Sequence, residues 1–220
     1  NEDGILVYRE KIRAMEIEGK RSLSVQYSDV LRFDPDLAQE FLDDPEHQLK
    51  ISSDVLKDLI IQFNPESHVE EDQIHFRLKK LPSYVPLRNL RSIYLEKLTS
   101  IRGIVIGVTE TKPLILVGKF RCVSCGKEME KTFQNGIYSP PYQCDSDACG
   151  RKGSVVVKLE ESKFIDWQKI TIQEKPEELP PGQMPRSINI NVYDDIVDLA
   201  RPGDRVNVVG ILKAYTSRAK

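Results

Sequence analysis

Four cysteines within 28 residues constrain this chain more than any other feature of its sequence. Cys122, Cys125, Cys144 and Cys149 are the only cysteines among 220 residues. They form a Cys-x2-Cys pair and a Cys-x4-Cys pair, separated by eighteen residues. Two short chelating loops joined by a hairpin-sized insert are typical of a tetrahedral Zn²⁺ site. The spacing therefore predicts one structural zinc ion per chain, with four thiolates that leave no open position for catalysis.

The same cysteines could instead form two disulfides or a fortuitous cluster. No cysteine occurs elsewhere and no signal peptide is recognisable, which favours zinc. Between the pairs, Lys131–Phe133 is predicted as a strand, Asn135-Gly136 as a hairpin turn and Ile137–Tyr138 as a second strand. A unit of about 30 residues has almost no core, so a metal would have to stabilise it.

Charged residues are distributed unevenly along the chain. The net charge of −2 argues against a generic basic nucleic-acid binder. Residues 1–100 carry 14 basic and 19 acidic side chains, whereas residues 101–220 carry 18 basic and 15 acidic ones. The second half is therefore the better candidate for nucleic-acid contacts. No apolar run approaches 18 residues, so no membrane partner is predicted.

Residues 1–85 are predicted to form a helical subdomain. Leu23–Tyr27 alternates in polarity and predicts a short strand. Asp34-Pro35 is predicted to supply the N-cap and first residue of a helix that ends before Pro45. A residue within Ser52–Asp54 is predicted to cap the next helix.

From residue 98 onward, the apolar residues follow the period of strands. The predicted strands are Ile101–Val108, Leu114–Arg121, Val155–Leu159, Phe164–Gln173, Ser187–Tyr193 and Arg205–Tyr215. Gly103 and Gly107 predict bulges or tight coiling in the first of them. The predicted fold class is α+β and mainly β, with an N-terminal helical subdomain and an OB-fold five-stranded barrel carrying an inserted zinc ribbon. The predicted boundaries are 1–85 for the helical subdomain, 86–120 and 155–220 for the barrel, and 121–154 for the ribbon.

Catalytic motifs are missing from the sequence. It contains no Gly-x4-Gly-Lys-[Ser/Thr] nucleotide-binding loop, no Gly-x-Ser-x-Gly motif and no histidine in its second half. The adjacent carboxylates Asp194-Asp195 and Glu160-Glu161 are predicted to be solvated, because neighbours on a strand point to opposite faces. The chain as given is predicted to catalyse nothing.

Three groups of motifs flank the cysteines in a consistent order. They are Pro86–Ser92, then Ser100–Val105 with Thr109–Pro113, and finally Asp166–Glu174 with Pro185–Ser187 and Pro202–Val206. On these motifs, the chain resembles the N-terminal domain of the minichromosome maintenance (MCM) replicative helicases of archaeal type, over nearly its whole length. The resemblance implies single-stranded DNA as a partner, assembly into hexamers or head-to-head double hexamers, and an ATP-dependent motor that follows in the parent chain. It also implies a cytoplasmic location at the nucleoid, or in the nucleus of a eukaryote.

The resemblance assigns DNA contacts first to Lys112 and Arg186, which match family motifs. The further candidates are Lys169, Lys213, Arg218 and Lys220. Many relatives carry a basic residue where this chain has Gly107. Trp167 is expected in the core or an interface. The resemblance also implies that the proline-rich loop 173–185 couples the DNA-binding tier to the motor. A stand-alone nucleic-acid-binding module and a purely structural oligomerisation module stay open as alternatives.

Overall fold

The computed structural model of the chain describes residues 2–63, 74–133 and 138–214. The chain divides into two compact units. The first unit comprises Asn1–Gly107, Thr171–Asn189 and Ala200–Lys220, and the second comprises Val108–Ile170 and Ile190–Leu199. In the part of the chain that is described, none of the helices combines the length and apolar character needed to cross a membrane.

The amino-terminal part of the first unit is mainly helical, as predicted. Its elements are α1 (Glu2–Ile17), β1 (Ser22–Gln26), α2 (Tyr27–Phe33), α3 (Pro35–Asp43), α4 (Pro45–Phe63) and β2 (His75–Lys79). The Asp34 carboxylate accepts hydrogen bonds from the backbone N–H groups of Asp36 (2.9 Å) and Leu37 (3.2 Å). Together with Pro35 at the first helical position, this cap confirms the predicted start of α3.

The prediction for the start of α4 was wrong, because the helix begins at Pro45 rather than within Ser52–Asp54. Proline has no N–H to leave unsatisfied in a first turn, so it suits that position. Ser53 lies inside the helix, where its hydroxyl donates to the Leu49 carbonyl (2.8 Å) and accepts from the Phe76 N–H (3.0 Å). A serine that resembles a cap in the sequence thus connects α4 to β2.

The strand predicted at Leu23–Tyr27 is present as β1, but its parallel partner β2 was not predicted. β1 pairs with β2 in a register that places Leu23 opposite Phe76 and Val25 opposite Leu78. Leu23, Val25 and Leu78 are buried in the core of the helical part. That core also contains Ile12, Met15, Tyr27, Val30, Ala38, Phe41, Leu56, Ile60, Ile74 and Leu98.

The β-part forms one six-stranded sheet. Its strands are β3 (Leu98–Val108), β4 (Lys112–Cys122), β5 (Glu128–Thr132), β6 (Val155–Gln173), β7 (Ser187–Tyr193) and β8 (Arg205–Ile211). They follow the order β5-β4-β6-β3-β8, and β7 pairs with β6. In the first unit, β3 and β8 are antiparallel, with Leu98 opposite Ile211 and Ile104 opposite Arg205.

The strands predicted at Val155–Leu159 and Phe164–Gln173 form a single strand, β6, which continues without a break through residues 160–163. Opposite this stretch, β4 changes register between Ile115 and Val117 and again between Val117 and Lys119. The Ser162 hydroxyl accepts from the Lys119 N–H (3.0 Å) and donates to the Lys158 carbonyl (2.6 Å). This side chain satisfies backbone groups that the irregular ladder would leave unpaired.

Gly103 marks a close approach of two strands. A Cβ atom at this position would lie 2.6 Å from the carbonyl oxygen of Gln173 on β6. Only glycine fits such a contact, which gives a physical reason for the glycine in the first predicted strand.

The segment between the cysteine pairs differs from the predicted hairpin. β5 covers Glu128–Thr132 and pairs with β4, with Phe120 opposite Met129. Tyr138 is not in a strand. The predicted turn at Asn135-Gly136, and Ile137 with it, lie outside the described residues. β5 thus extends the larger sheet, and Phe133 packs edge-on against Phe120 at 6.1 Å between ring centroids.

Candidate metal centre and nucleic-acid interface

The four cysteines come together at the end of β4. Their Sγ atoms all lie within 4.8 Å of one another. The Cys122 and Cys149 sulfurs are 3.9 Å apart and those of Cys125 and Cys144 are 3.6 Å apart, and all four cysteines are free. A tetrahedral ion with metal–sulfur bonds of about 2.3 Å sets its ligands about 3.8 Å apart. The cluster therefore has the dimensions of a four-thiolate metal site and contains no disulfide.

The electrostatics of the cluster favour a bound cation. A hydrogen bond with the Ser154 hydroxyl is the main cause that lowers the pKa of the Cys122 thiol to about 6. For Cys144, a hydrogen bond with the Ser146 backbone lowers the pKa, but burial and the thiols of Cys125 and Cys122 outweigh it and raise the pKa to about 12. Ionisation of the Cys122 thiol thus opposes ionisation of the Cys144 thiol. A divalent cation at the centre removes that conflict, because it stabilises several thiolates at once.

In the second unit, two residues predicted to contact DNA lie close together. Lys112, at the start of β4, stands opposite Trp167 on β6. Lys169 follows Trp167 by two residues and so projects from the same face. Lys112 is exposed, whereas Trp167 and Lys169 are half-buried. Two amines therefore flank one indole on a single face of the sheet.

The loop before Lys112 is held by a buried amide. Gln168 is 2% exposed, and its side-chain N–H₂ donates to the Asp198 carboxylate (2.6 Å) and to the Thr109 carbonyl (3.0 Å). The Asp198 backbone N–H donates in return to the Gln168 side-chain oxygen (3.0 Å), and the Thr111 hydroxyl donates to the Asp198 carboxylate (3.1 Å). Asp198 adopts a left-handed φ of 60°, which aspartate tolerates better than most residues. This network fixes both ends of the β3–β4 turn. Its sign in the sequence is that Gln168 takes a place on the strand face that Ile170 and Ile172 share.

In the first unit, Arg186 belongs to a group of arginines arranged around one buried acid. The Glu174 carboxylate accepts from the Arg88 side chain at Nε and Nη2, both at 2.9 Å. It also accepts from the backbone N–H groups of Arg88 and Arg186, both at 3.0 Å. The Arg88 guanidinium is the main cause that holds the pKa of Glu174 below its ordinary value. Sequence reasoning missed this pair, because the residues lie 86 positions apart and each resembles a surface charge.

The long loop 173–185 is anchored in the structure. Besides the Glu174 bonds, the Arg88 Nη1 donates to the Gln183 side chain (2.7 Å). Glu177 in the short 3-10 helix Pro176–Glu178 forms an ion pair with Arg205 on β8 at 2.6 Å. The loop therefore has polar contacts at three positions in the first unit.

The remaining DNA-contact candidates differ in setting. Lys213 is half-buried and forms an ion pair with Glu46 of α4 at 2.6 Å. Arg218 and Lys220 lie outside the described residues. Gly107 has open space around it, since a Cβ atom there would meet nothing within 4 Å. A longer side chain could therefore be accommodated at this position.

The fold and the site together define an OB-fold protein with an N-terminal helical subdomain and a cluster of four cysteines that has the dimensions of a metal site. A family model described as the MCM OB domain matches residues 86–216, and one described as the MCM N-terminal domain matches residues 1–80. The chain belongs to the minichromosome maintenance (MCM) family, which confirms the resemblance seen in the sequence motifs.

Named relatives come from archaea and eukaryotes. The minichromosome maintenance protein MCM of Saccharolobus solfataricus is 38% identical over 210 residues, which cover 93% of this chain and 30% of that protein. The DNA replication licensing factor MCM4 of Oryza sativa subsp. japonica is 35% identical, over 94% of this chain and 24% of that protein. The DNA replication licensing factor Mcm2 of Drosophila melanogaster is 31% identical, over 96% and 24% respectively. The chain thus spans less than a third of the length of these relatives.

Proposed function

We propose that this chain is the DNA-binding, ring-forming N-terminal part of a hexameric replicative helicase, and that it binds single-stranded DNA. The observation that carries the proposal is the ordered match of both MCM domain models over residues 1–80 and 86–216. A relative named as a replication licensing factor agrees with a role in DNA replication. The parent protein would be an ATP-dependent helicase that works at the nucleoid or in the nucleus, with its motor outside these residues.

Lys112 and Arg186 are the first proposed phosphate contacts, with Lys169, Lys213, Arg218 and Lys220 as further candidates. Lys112 and Arg186 are both exposed. Phosphate contacts give affinity without sequence preference, since every nucleotide carries the same charge. Trp167 stands opposite Lys112 in the sheet and is half-buried.

The cysteine cluster is proposed to bind one structural Zn²⁺ through Cys122, Cys125, Cys144 and Cys149. Sulfur–sulfur distances of 3.6 and 3.9 Å support this choice, because they suit the tetrahedral thiolate geometry that zinc adopts. The ion would hold the segment between β4 and β6, in whose described part Phe133 is the one large side chain that is buried. The proposed boundaries stay those of the sequence: 1–85, 86–120 with 155–220, and 121–154.

The direct test is a salt-dependent titration of residues 1–220 with fluorescently labelled oligo(dT). On single strands, the slope of log K against log salt is about −0.7 for each phosphate contact. The double variant Lys112→Ala/Arg186→Ala should lower the slope by about 1.4 and weaken binding roughly 25-fold at 0.1 M salt. Unchanged binding by this variant would reject both assigned DNA contacts.

A matched control removes one lysine and one arginine from the helical part. Lys50 and Arg32 are both exposed there, and Lys50→Ala/Arg32→Ala should bind like the wild type. Light scattering of the same samples tests ring formation. A monomer–oligomer mixture that single-stranded DNA shifts to larger species is expected, because a ligand that bridges subunits favours assembly. Assembly without any DNA binding would instead favour the oligomerisation module.

A further inference from the structure

We propose that Arg91 and Arg186 act as a pair that binds one phosphate of the DNA strand, held in place by Glu174 through Arg88. The inference deepens the proposed function, on which it rests, by adding Arg91 to the binding surface. It comes from one juxtaposition: two exposed guanidinium groups donate to the same backbone carbonyl oxygen.

That oxygen belongs to Arg88. The Arg91 Nη1 atom donates to it at 2.7 Å, and the Arg186 Nη1 atom donates to it at 3.2 Å. The two nitrogens therefore lie at most about 6 Å apart. Arg91 Nη1 also donates to the Leu90 carbonyl at 2.8 Å, which restricts its position further. Two positive groups are thus held near each other by contacts with neutral acceptors.

The Arg88 peptide is itself fixed. Its N–H donates to one Glu174 oxygen at 3.0 Å, and its guanidinium donates to both oxygens of the same carboxylate. Glu174 also binds the Arg186 backbone twice: its carboxylate accepts from the Arg186 N–H, and its own N–H donates to the Arg186 carbonyl, each at 3.0 Å. Glu174 is 6% exposed, so water competes little for these bonds. Glu174 therefore positions Arg186 by its main chain and Arg91 through Arg88.

Charge balance leaves this cluster electropositive. Glu174 neutralises Arg88 in an ion pair at 2.9 Å. Within residues 2–63, 74–133 and 138–214, neither Arg91 nor Arg186 forms an ion pair with a carboxylate, and both are exposed. Each guanidinium has five N–H donors, and only its Nη1 group is bonded to protein in these ranges. The remaining N–H donors and the two unpaired positive charges of these arginines are suited to bind an anion.

A phosphodiester is the anion that fits this geometry and the proposed function. Hydrogen bonds from guanidinium to phosphate are about 2.8 Å long, so nitrogens about 6 Å apart can both reach one phosphate group. Arginine is suited to this role because its planar fork binds two phosphate oxygens at once. Binding would also relieve the repulsion between the two guanidinium groups.

The test is a set of oligo(dT) titrations over a range of salt concentrations with Arg91→Ala, Arg186→Ala and the double variant, all in residues 1–220. Each single variant should weaken binding several-fold at 0.1 M salt. If both arginines share one phosphate, the double variant should lower the salt slope by about 0.7, the value for one contact, rather than by twice that amount. Arg91→Lys, which keeps the charge but loses the fork, should recover only part of the affinity.

Arg91 also bonds two carbonyls, so a folding defect must be separated from a binding defect. Circular dichroism and thermal unfolding of each variant make that separation, because a purely structural role would change stability without changing the salt slope. Arg32→Ala is the control for loss of an exposed arginine elsewhere. Wild-type binding by Arg91→Ala, with weaker binding by Arg186→Ala, would overturn the pair and leave the proposed function standing. Wild-type binding by both variants would reject Arg186 as a DNA contact as well, and a slope change of about 1.4 in the double variant would overturn the shared phosphate by showing two separate ones.

Discussion

Replacing Glu174 with glutamine should destabilise the first unit strongly, although the two side chains have nearly the same shape. The Glu174 side chain is 5% exposed and accepts four N–H groups, two on each oxygen. Glutamine keeps one oxygen and replaces the other with a donor. Two accepted bonds are therefore lost in either orientation, and two N–H groups then face an N–H₂ group.

Hydrogen bonds to a charged group contribute about 1.5–3 kcal/mol each, and partial rehydration of the exposed edge reduces the sum. We therefore expect Glu174→Gln to lower the free energy of unfolding by about 2–3 kcal/mol. For a chain of this size, this corresponds to a fall in melting temperature of about 5–10 °C. Urea unfolding followed by circular dichroism at helical wavelengths measures it, because α1 to α4 all belong to the first unit.

The effect should depend on pH. The Arg88 guanidinium lowers the pKa of Glu174 in the folded state, so its stabilisation is present above the unfolded pKa of about 4.3. The stabilisation is lost as pH falls through the folded pKa. The difference between wild type and variant should therefore be largest near neutral pH and shrink in acid.

Glu178→Gln is the matched control, since Glu178 lies on the same loop and is exposed, and its carboxylate is as far as 3.8 Å from the Lys175 amine. It should change stability by less than about 0.5 kcal/mol. Equal stability of the Glu174 and Glu178 variants at neutral pH would refute the role assigned to the buried carboxylate.

Three further predictions concern the metal site and the DNA face. Cys144→Ser should abolish stoichiometric zinc and loosen the segment between β4 and β6 while the helical signal stays, as measured by metal analysis and circular dichroism; wild type with well under half a zinc per chain would contradict this. Gly107→Lys should tighten oligo(dT) binding about fivefold at 0.1 M salt and steepen the salt slope by about 0.7, whereas Gly107→Ala should have no effect. Gln168→Ala should destabilise the second unit by about 2 kcal/mol, because it removes a buried side chain together with its hydrogen bonds to Asp198 and Thr109. Fluorescence of the single tryptophan, Trp167, reports that unfolding, and wild-type stability would contradict the prediction.

Local features of the sequence predicted the elements that depend on neighbouring residues. The Asp34-Pro35 cap set the start of α3, because a carboxylate next to a helix start has its donors within three residues. Ser187–Tyr193 became β7 with the predicted bounds, since strict alternation leaves one possible face. The motifs identified the family, and the cysteine spacing predicted a cluster that the structure shows.

Features that depend on distant residues emerge only in the folded chain. In the sequence, Ser53 resembles a helix cap, but in the folded chain its hydroxyl accepts a hydrogen bond from the Phe76 N–H of β2. β2 itself pairs with β1, which lies about 50 residues earlier in the chain. The union of two predicted strands in β6 required the Ser162 hydroxyl to complete an irregular ladder with β4.

The charged side chains show most clearly the difference between what local sequence determines and what the fold determines. Residue type and short spacing are enough to tell which side chains can carry charge or bind metal, because they set that chemistry locally. Which arginine is neutralised and which is free depends on the fold. Arg88 and Arg91 are three residues apart, yet Glu174 pairs with the first and, among the described residues, no carboxylate pairs with the second. A charged side chain can bind a ligand when no oppositely charged side chain of the folded protein pairs with it. Whether such a pair forms depends on contacts between residues far apart in the chain.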